Sequence, residues 1–256
     1  QWGPALADPR GIAYDPVARL LVITERSPSR LRFVDVDPDG DDVVDPPERW
    51  TIVATDSTLT APAGVAHDPV GGGFVVVDEG GACVRRVVDG GALGQTLAGQ
   101  CGAPGDALGA LQGPTHVAVS STTGAVYVSD TGNHRVLRVL DQDIALVLGN
   151  GTIDNDVDGA PARERPLASP RQLVLDDDGN LFLAANDAVR VVVNADGDDD
   201  ADGDDAVDRV FPRGRSTFEE RSSACLHSLA RQDDGALVAV DSCQGFAVRL
   251  RLQPLP

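Results

Sequence analysis

Apolar residues occur in this chain as short bursts, each bracketed by glycine, proline, aspartate or asparagine. RLLVITE (19–25), RLRFVDV (30–36), GAVYVSD (124–130) and HRVLRVL (134–140) are dense in valine, leucine and isoleucine. Branched runs of this length between turn residues predict strands. No segment sustains a 3.6-residue apolar period over the length of a helix. The predicted fold class is therefore all-β.

The bursts also repeat. The phrases DPRGIAYDP, APAGVAHDP, GPTHVAVSS, SPRQLVLDD and LHSLARQDD align at Pro9, Pro62, Pro114, Pro170 and Leu226, spaced by 53, 52, 56 and 56 residues. A second and a third strand follow each anchor. A fourth is predicted after them, as in RWTIVAT (49–55) and IALVLGN (144–150). Four antiparallel strands in roughly 50 residues, repeated, are the pattern of propeller blades.

GPTHVAVSSTTGAVYVSDTGNHRVLRVL (113–140) resembles an NHL repeat, which runs from a proline through a first strand to a second ending in a D-T-G-N-H-R phrase. The linker GNGTIDNDVDGAPARERPLASP (149–170) is similar to that family's linker, and the other four repeats match more weakly. The resemblance implies one β-propeller domain over residues 1–256, built of NHL-type four-stranded blades, with five repeats visible and the last incomplete. After Leu226 there is room for three strands, so either QWGPAL helps to close a five-bladed ring or further chain segments complete it.

Composition narrows the function classes. The net charge is −19, which argues against nucleic acid, whose affinity rests on neutralised phosphates, and against an anionic membrane surface. No apolar run approaches the ~18 residues needed to insert into a bilayer. All 21 basic residues are arginine and there is no methionine. That usage points to a GC-rich bacterial genome and to a processed or excised chain. Export follows as the expectation: secreted, periplasmic or cell-surface.

The four cysteines, Cys83, Cys101, Cys225 and Cys243, suit two disulfides in an exported chain, and zinc is the alternative. Blade topology implies the pairing. The start of a third strand lies beside the end of a fourth, which joins Cys83 to Cys101. The start of a first strand lies beside the end of a second, which joins Cys225 to Cys243.

Two acidic stretches, DVDPDGDDVVD (35–45) and DADGDDAVD (200–208), follow third strands in two repeats. Calcium takes six to eight oxygens, commonly from carboxylates at alternate positions of a tight loop. A register starting at Asp35 puts Gly40 at the sixth position but lacks later carboxylates. The register starting at Asp37 offers Asp37, Asp39, Asp41 and Asp45. The second stretch offers Asp200, Asp202, Asp204 and Asp208, and is similar to the calcium loops of thrombospondin type 3 repeats, with aspartate in place of their second glycine. A solvated acidic turn that binds nothing is the plainer reading of either stretch alone, and recurrence at equivalent hairpins favours calcium. A third D-x-D-x-D-G at 154–159 falls in the linker and is read as part of it.

In a propeller, first strands line the channel. The residues after the anchors are Arg10, Ala63, Thr115, Arg171 and His227. Arg10, Thr115, Arg171 and His227 are candidates for binding a small anion, and pairing with neighbouring carboxylates is the plainer alternative. LHSLA (226–230) is similar to the histidine phrase of peptidylglycine amidating lyases, which makes His227 a catalytic candidate, but one ligand does not make a zinc site. Glu25, Asp78, Asp130 and Asp241 end second strands, and are read as fixing the adjoining loops. No nucleophile elbow, phosphate loop or paired-carboxylate signature is legible. The expected function is a non-catalytic exported binding or scaffold module, stabilised by calcium and two disulfides. Its partner would be a protein, a glycan or a small anion. A channel lyase or hydrolase, and a segment of a larger cell-surface protein, are the alternatives.

Overall fold

The structure, a computed structural model, describes residues 5–36, 50–53, 58–88, 91–153, 161–185, 188–194, 206–211, 226–232, 234–241 and 246–250. The short apolar bursts form strands, and the described helical residues are confined to brief 3-10 turns such as Thr131–Asn133 and Ala162–Glu164. The chain divides into two compact units, Gln1–Gly124 and Ala125–Pro256.

The first unit holds two four-stranded antiparallel sheets in chain order. Sheet 1 comprises β1 (Pro9–Asp15), β2 (Leu20–Arg26), β3 (Ser29–Asp35) and β4 (Trp50–Val53). Sheet 2 comprises β5 (Pro62–His67), β6 (Phe74–Asp78), β7 (Cys83–Val87) and β8 (Leu93–Gly99). The unit ends with β9 (His116–Val119). Val22, Leu31 and Phe33 of sheet 1 meet Val65, Phe74, Val76 and Val87 of sheet 2 in one buried cluster. The rings of Phe33 and Phe74 lie edge to face, 6.3 Å apart.

In the second unit β10 (Val126–Asp130), β11 (Arg135–Leu140) and β12 (Asp143–Leu148) pair in order, in sheet 3. Sheet 4 follows, with β13 (Pro170–Leu175), β14 (Leu181–Ala185), β15 (Ala188–Val193) and β16 (Ala206–Phe211). Sheet 5 has three strands among the described residues, β17 (Leu226–Arg231), β18 (Leu237–Asp241) and β19 (Phe246–Leu250). Its Leu229, Leu237 and Ala239 pack on Phe182, Ala184, Val189 and Val191 of sheet 4.

Four of the five anchors, Pro9, Pro62, Pro170 and Leu226, each open a first strand. The third repeat differs: its strand begins at His116, two residues beyond Pro114. Every first strand paired within its own unit has an irregular register just after its anchor, as between Pro9 and Ile12 or Pro62 and Val65. Turns between first and second strands are held by side-chain acceptors placed six residues after the anchor. Asp15 accepts from Val17 and Ala18 N–H, Asp68 from Val70 and Gly71, Ser120 from Thr122 and Thr123, and Asp176 from Asp178 and Asn180. Short polar side chains supply these turn-closing bonds.

Candidate functional site

The residues with chemical potential cluster where first strands begin and second strands end. Glu25, Asp78 and Asp130 occupy equivalent positions near or at the ends of second strands, and all three are buried. A buried carboxylate must be matched by donors. Glu25 accepts Ala7 N–H at 2.5 Å, Arg32 Nε at 2.5 Å and Arg30 Nε. Burial by itself raises its pKa. The hydrogen bonds from Arg30 and Arg32, with that from Ala7, overcome this and hold it at about 2.

Asp78 accepts backbone N–H groups of Thr60 and Ala61, in the segment leading into β5, and of Gly81 beyond its own strand. Asp130 accepts Asn133 Nδ2 at 2.7 Å and Arg135 Nε at 2.8 Å. Register explains the differences. The strand-end pairs are Glu25 with Arg30, Asp130 with Arg135, and Asp78 with Cys83. Two repeats put a guanidinium opposite the carboxylate and one puts a half-cystine there. These carboxylates fasten loops, as read from the sequence. The second arginine on Glu25, Arg32, was not anticipated, and its signal is the alternation R-L-R at the start of β3.

The anchor-adjacent residues act through their carbonyls. Thr24 Oγ1 donates to Ala63 O at 2.5 Å, and Ser129 Oγ donates to Arg171 O at 2.5 Å. Gly64 N–H donates to Thr115 O at 3.0 Å. Each bond ties one sheet to the next. The approach is close enough to require glycine: a Cβ on Gly11 would lie 2.5 Å from Ala63 O, and one on Gly64 would lie 2.7 Å from His116 Cα.

Among the candidate side chains, Arg10 is exposed and paired with Asp8 at 3.2 Å. The guanidinium of Arg171 has no hydrogen-bond or ion-pair partner among the described residues. Thr115 precedes β9, and His227 lies in β17, where only its backbone is described. Arg10 and Thr115 belong to the first unit, Arg171 and His227 to the second. His116, one position along from Thr115, is desolvated by burial, which pushes its pKa down to about 4. His134 is structural: its Nδ1 accepts Ser169 N–H at 3.2 Å.

Cys83 and Cys101 form a disulfide with Cα atoms 5.0 Å apart, beside the register pair Cys83–Gly99. Cys225 and Cys243 lie outside the described residues. They flank Leu226 and Asp241, which face each other in the β17–β18 register. The first acidic stretch starts at Asp35, the last residue of β3, and precedes β4, and the second follows β15 and runs into β16, which opens at Ala206. Asp37, Asp39, Asp41, Asp45, Asp200, Asp202 and Asp204 lie outside the described residues, as does the linker stretch 154–160. Asp208 is in β16, opposite Val191. Among the described residues no group of three His, Cys, Asp or Glu side chains could hold a metal ion.

The NHL repeat model matches residues 111–138. No curated protein matches the chain. Among solved structures, the virginiamycin B lyase of Staphylococcus aureus is 12% identical, with a TM-score of 0.59 over 98% of this chain and 71% of that one. A chain of the nidogen/laminin complex is 13% identical, with a TM-score of 0.65 over 94% and 74%. An auxiliary nutrient binding protein of Bacteroides ovatus is 16% identical, with a TM-score of 0.68 over 96% and 59%. The chain is thus all-β, of β-propeller fold, with one stretch that matches the NHL repeat. At these identities the likeness is one of fold, and one fold hosts many activities.

Proposed function

We propose that the chain is a non-catalytic binding or scaffold β-propeller that works outside the cytosol, stabilised by calcium and by two disulfides. The observation that carries this reading is the saturation of the buried strand-end carboxylates. Glu25, Asp78 and Asp130 each take two or more structural hydrogen bonds. Glu25, held at a pKa of about 2, is a poor general acid or base near neutral pH. The Cys83–Cys101 disulfide supports an oxidising setting. In this reading the second bond joins Cys225 to Cys243, and calcium takes Asp37, Asp39, Asp41 and Asp45 at one hairpin and Asp200, Asp202, Asp204 and Asp208 at the other. The ligand is a protein, a glycan or a small anion.

Calorimetry with calcium chloride and elemental analysis of the purified chain test it together. We expect calcium binding, a fall in melting temperature with EDTA, and no stoichiometric transition metal. Absence of heat with an unchanged melt would remove calcium from the reading. A stoichiometric zinc ion lost in His227→Ala would replace the scaffold with a channel enzyme. That second reading draws on one observation, the guanidinium of Arg171, which has no partner among the described residues and suits an anionic group. Non-reducing peptide mapping that joined Cys83 to Cys243 would overturn the disulfide pairing.

A further inference from the structure

Asn150–Gly151 is the one Asn-Gly step in the chain, and it stands in an exposed loop directly after β12. The loop runs beside the 3-10 turn Ala162–Glu164, within the second unit. Backbone bonds join the two. Gly149 N–H donates to Ala162 O at 3.2 Å, Asn150 N–H to Arg165 O at 2.8 Å and Leu167 N–H to Thr152 O at 3.0 Å. The Asn150 side chain adds another, from Nδ2 to Glu164 O at 2.9 Å. This tether fastens the end of sheet 3 to the segment that leads into β13.

The same side chain is set for a reaction. Its Oδ1 accepts two bonds from Thr152, the N–H at 3.0 Å and Oγ1 at 2.7 Å. Donors on a carbonyl oxygen stabilise the negative charge that grows there when a nucleophile adds to its carbon. The nucleophile is next in the chain. Gly151 N–H has no hydrogen-bond partner among the described residues. Gly151 is exposed, at φ +82°, with no side chain to shield its nitrogen. A neighbouring group of this kind attacks without the entropy cost of meeting a second molecule. The other described asparagines lack that combination: Asn133 precedes His134, Asn180 is buried and precedes Leu181, and Asn194 precedes Ala195.

We propose that Asn150 is a modification site: it deamidates in the folded chain, without an enzyme, and the product releases the tether to Glu164. Gly151 N, giving up its proton, bonds to Asn150 Cγ. The electron pair displaced onto Oδ1 is held by the two Thr152 donors. As the carbonyl re-forms, the Cγ–Nδ2 bond breaks, and Nδ2 leaves as ammonia with the proton from Gly151. The cyclic succinimide then takes up one water, which opens it to aspartate or isoaspartate. The net change is one water consumed and one ammonia released. The new carboxylate has no N–H for Glu164 O and turns negative charge toward that carbonyl, so the loop loosens from the 3-10 turn irreversibly. The site is a slow clock on the hold between sheet 3 and the chain entering sheet 4. It needs neither calcium nor a partner, so it stands apart from the scaffold reading.

Peptide mapping by mass spectrometry tests it. The folded 256-residue chain is incubated at neutral to mildly alkaline pH beside the synthetic peptide LGNGTI (148–153). Asn150 should convert at least as fast as the asparagine of the peptide, to a mixture of aspartate and isoaspartate, while Asn133, Asn180 and Asn194 stay intact. Thr152→Val removes the Oγ1 donor and keeps the shape. It should slow the conversion on the order of tenfold, the effect of one hydrogen bond to a charged oxygen. Thr152→Ser should retain the wild-type rate. Conversion slower than in the peptide overturns the proposal, because the loop then protects Asn150. A rate unchanged by Thr152→Val overturns it as well. Hydrogen exchange reads the consequence separately. In the converted chain and in Asn150→Asp, the Leu167 amide should exchange severalfold faster than in fresh wild type, and equal exchange overturns the release of the tether.

Discussion

Replacing Glu25 by Gln tests whether the buried strand-end carboxylates hold the sheets together. Glu25 is fully buried, and Arg32, which bonds it, is 2% exposed. Gln can accept hydrogen bonds but removes the counter-charge that faces Arg32. The magnitude follows from the pKa. A carboxyl lowered from 4.5 to about 2 corresponds to about 3 kcal/mol, at ~1.36 kcal/mol per pKa unit. Breaking a buried ion pair costs a comparable ~3–5 kcal/mol. Arg30 is 17% exposed, so water screens part of its share. We therefore expect a loss of about 2–3 kcal/mol at pH 7.

The pH dependence has a definite sign. Glu25 has a lower pKa folded than unfolded, so its stabilisation is complete above about 4.5 and is lost as pH falls through about 2. At pH 3 the gap between wild type and variant should shrink to about 1–1.5 kcal/mol. Urea denaturation at both pH values measures this, with linear extrapolation. Trp2 and Trp50 are the two tryptophans and both belong to the unit that contains Glu25, so their fluorescence reports the relevant transition. A loss below about 0.5 kcal/mol at pH 7, the scale of an exposed pair, would refute the argument. So would a gap that is the same at both pH values.

Other perturbations probe neighbouring features. Gly11→Ala should destabilise the first unit by about 1–3 kcal/mol, since its Cβ would meet Ala63 O at 2.5 Å, and an unchanged denaturation midpoint would contradict the close approach. Cys101→Ala should cost about 2–4 kcal/mol relative to the oxidised wild type by releasing the loop closed onto Cys83, measured by urea denaturation, and the reduced wild type should match the variant. His116 is held neutral by burial with a pKa of about 4, so stability should decline as pH falls from about 6.5 toward 4. His116→Asn should flatten the profile in that window, and a slope unchanged by the substitution would assign the titration elsewhere.

Much of the fold was legible because strands of half-buried sheets leave a local imprint. Val/Leu/Ile runs bounded by turn residues marked β2, β3, β10 and β11 to within a residue or two. Anchor spacing gave the repeat. The blade topology placed Cys83 next to Cys101 because facing strand ends are a property of hairpin order. Less of the candidate site was legible. Arg10, Thr115 and Arg171 were chosen for their side chains. Yet it is the Thr115 and Arg171 carbonyls that tie sheets together, with the Ala63 carbonyl at the same position, and a carbonyl has no residue-specific signature. Nor does the sequence separate Arg10, paired with Asp8, from Arg171, which has no such partner among the described residues.

What the sequence alone determined is therefore local and periodic: strand positions, the repeat length, and a branched aliphatic three residues past each anchor. What only the tertiary structure decided is which of these equivalent positions are covered. Ile12 and Val65 obey one pattern, and their burial differs because it depends on a neighbouring sheet, not on the strand that bears them. The second arginine on Glu25 has the same origin. A pKa of about 2 for a fully buried carboxylate on β2 requires donors from β3 and from the segment before β1 converging on one point, and convergence in space is what a one-dimensional pattern lacks.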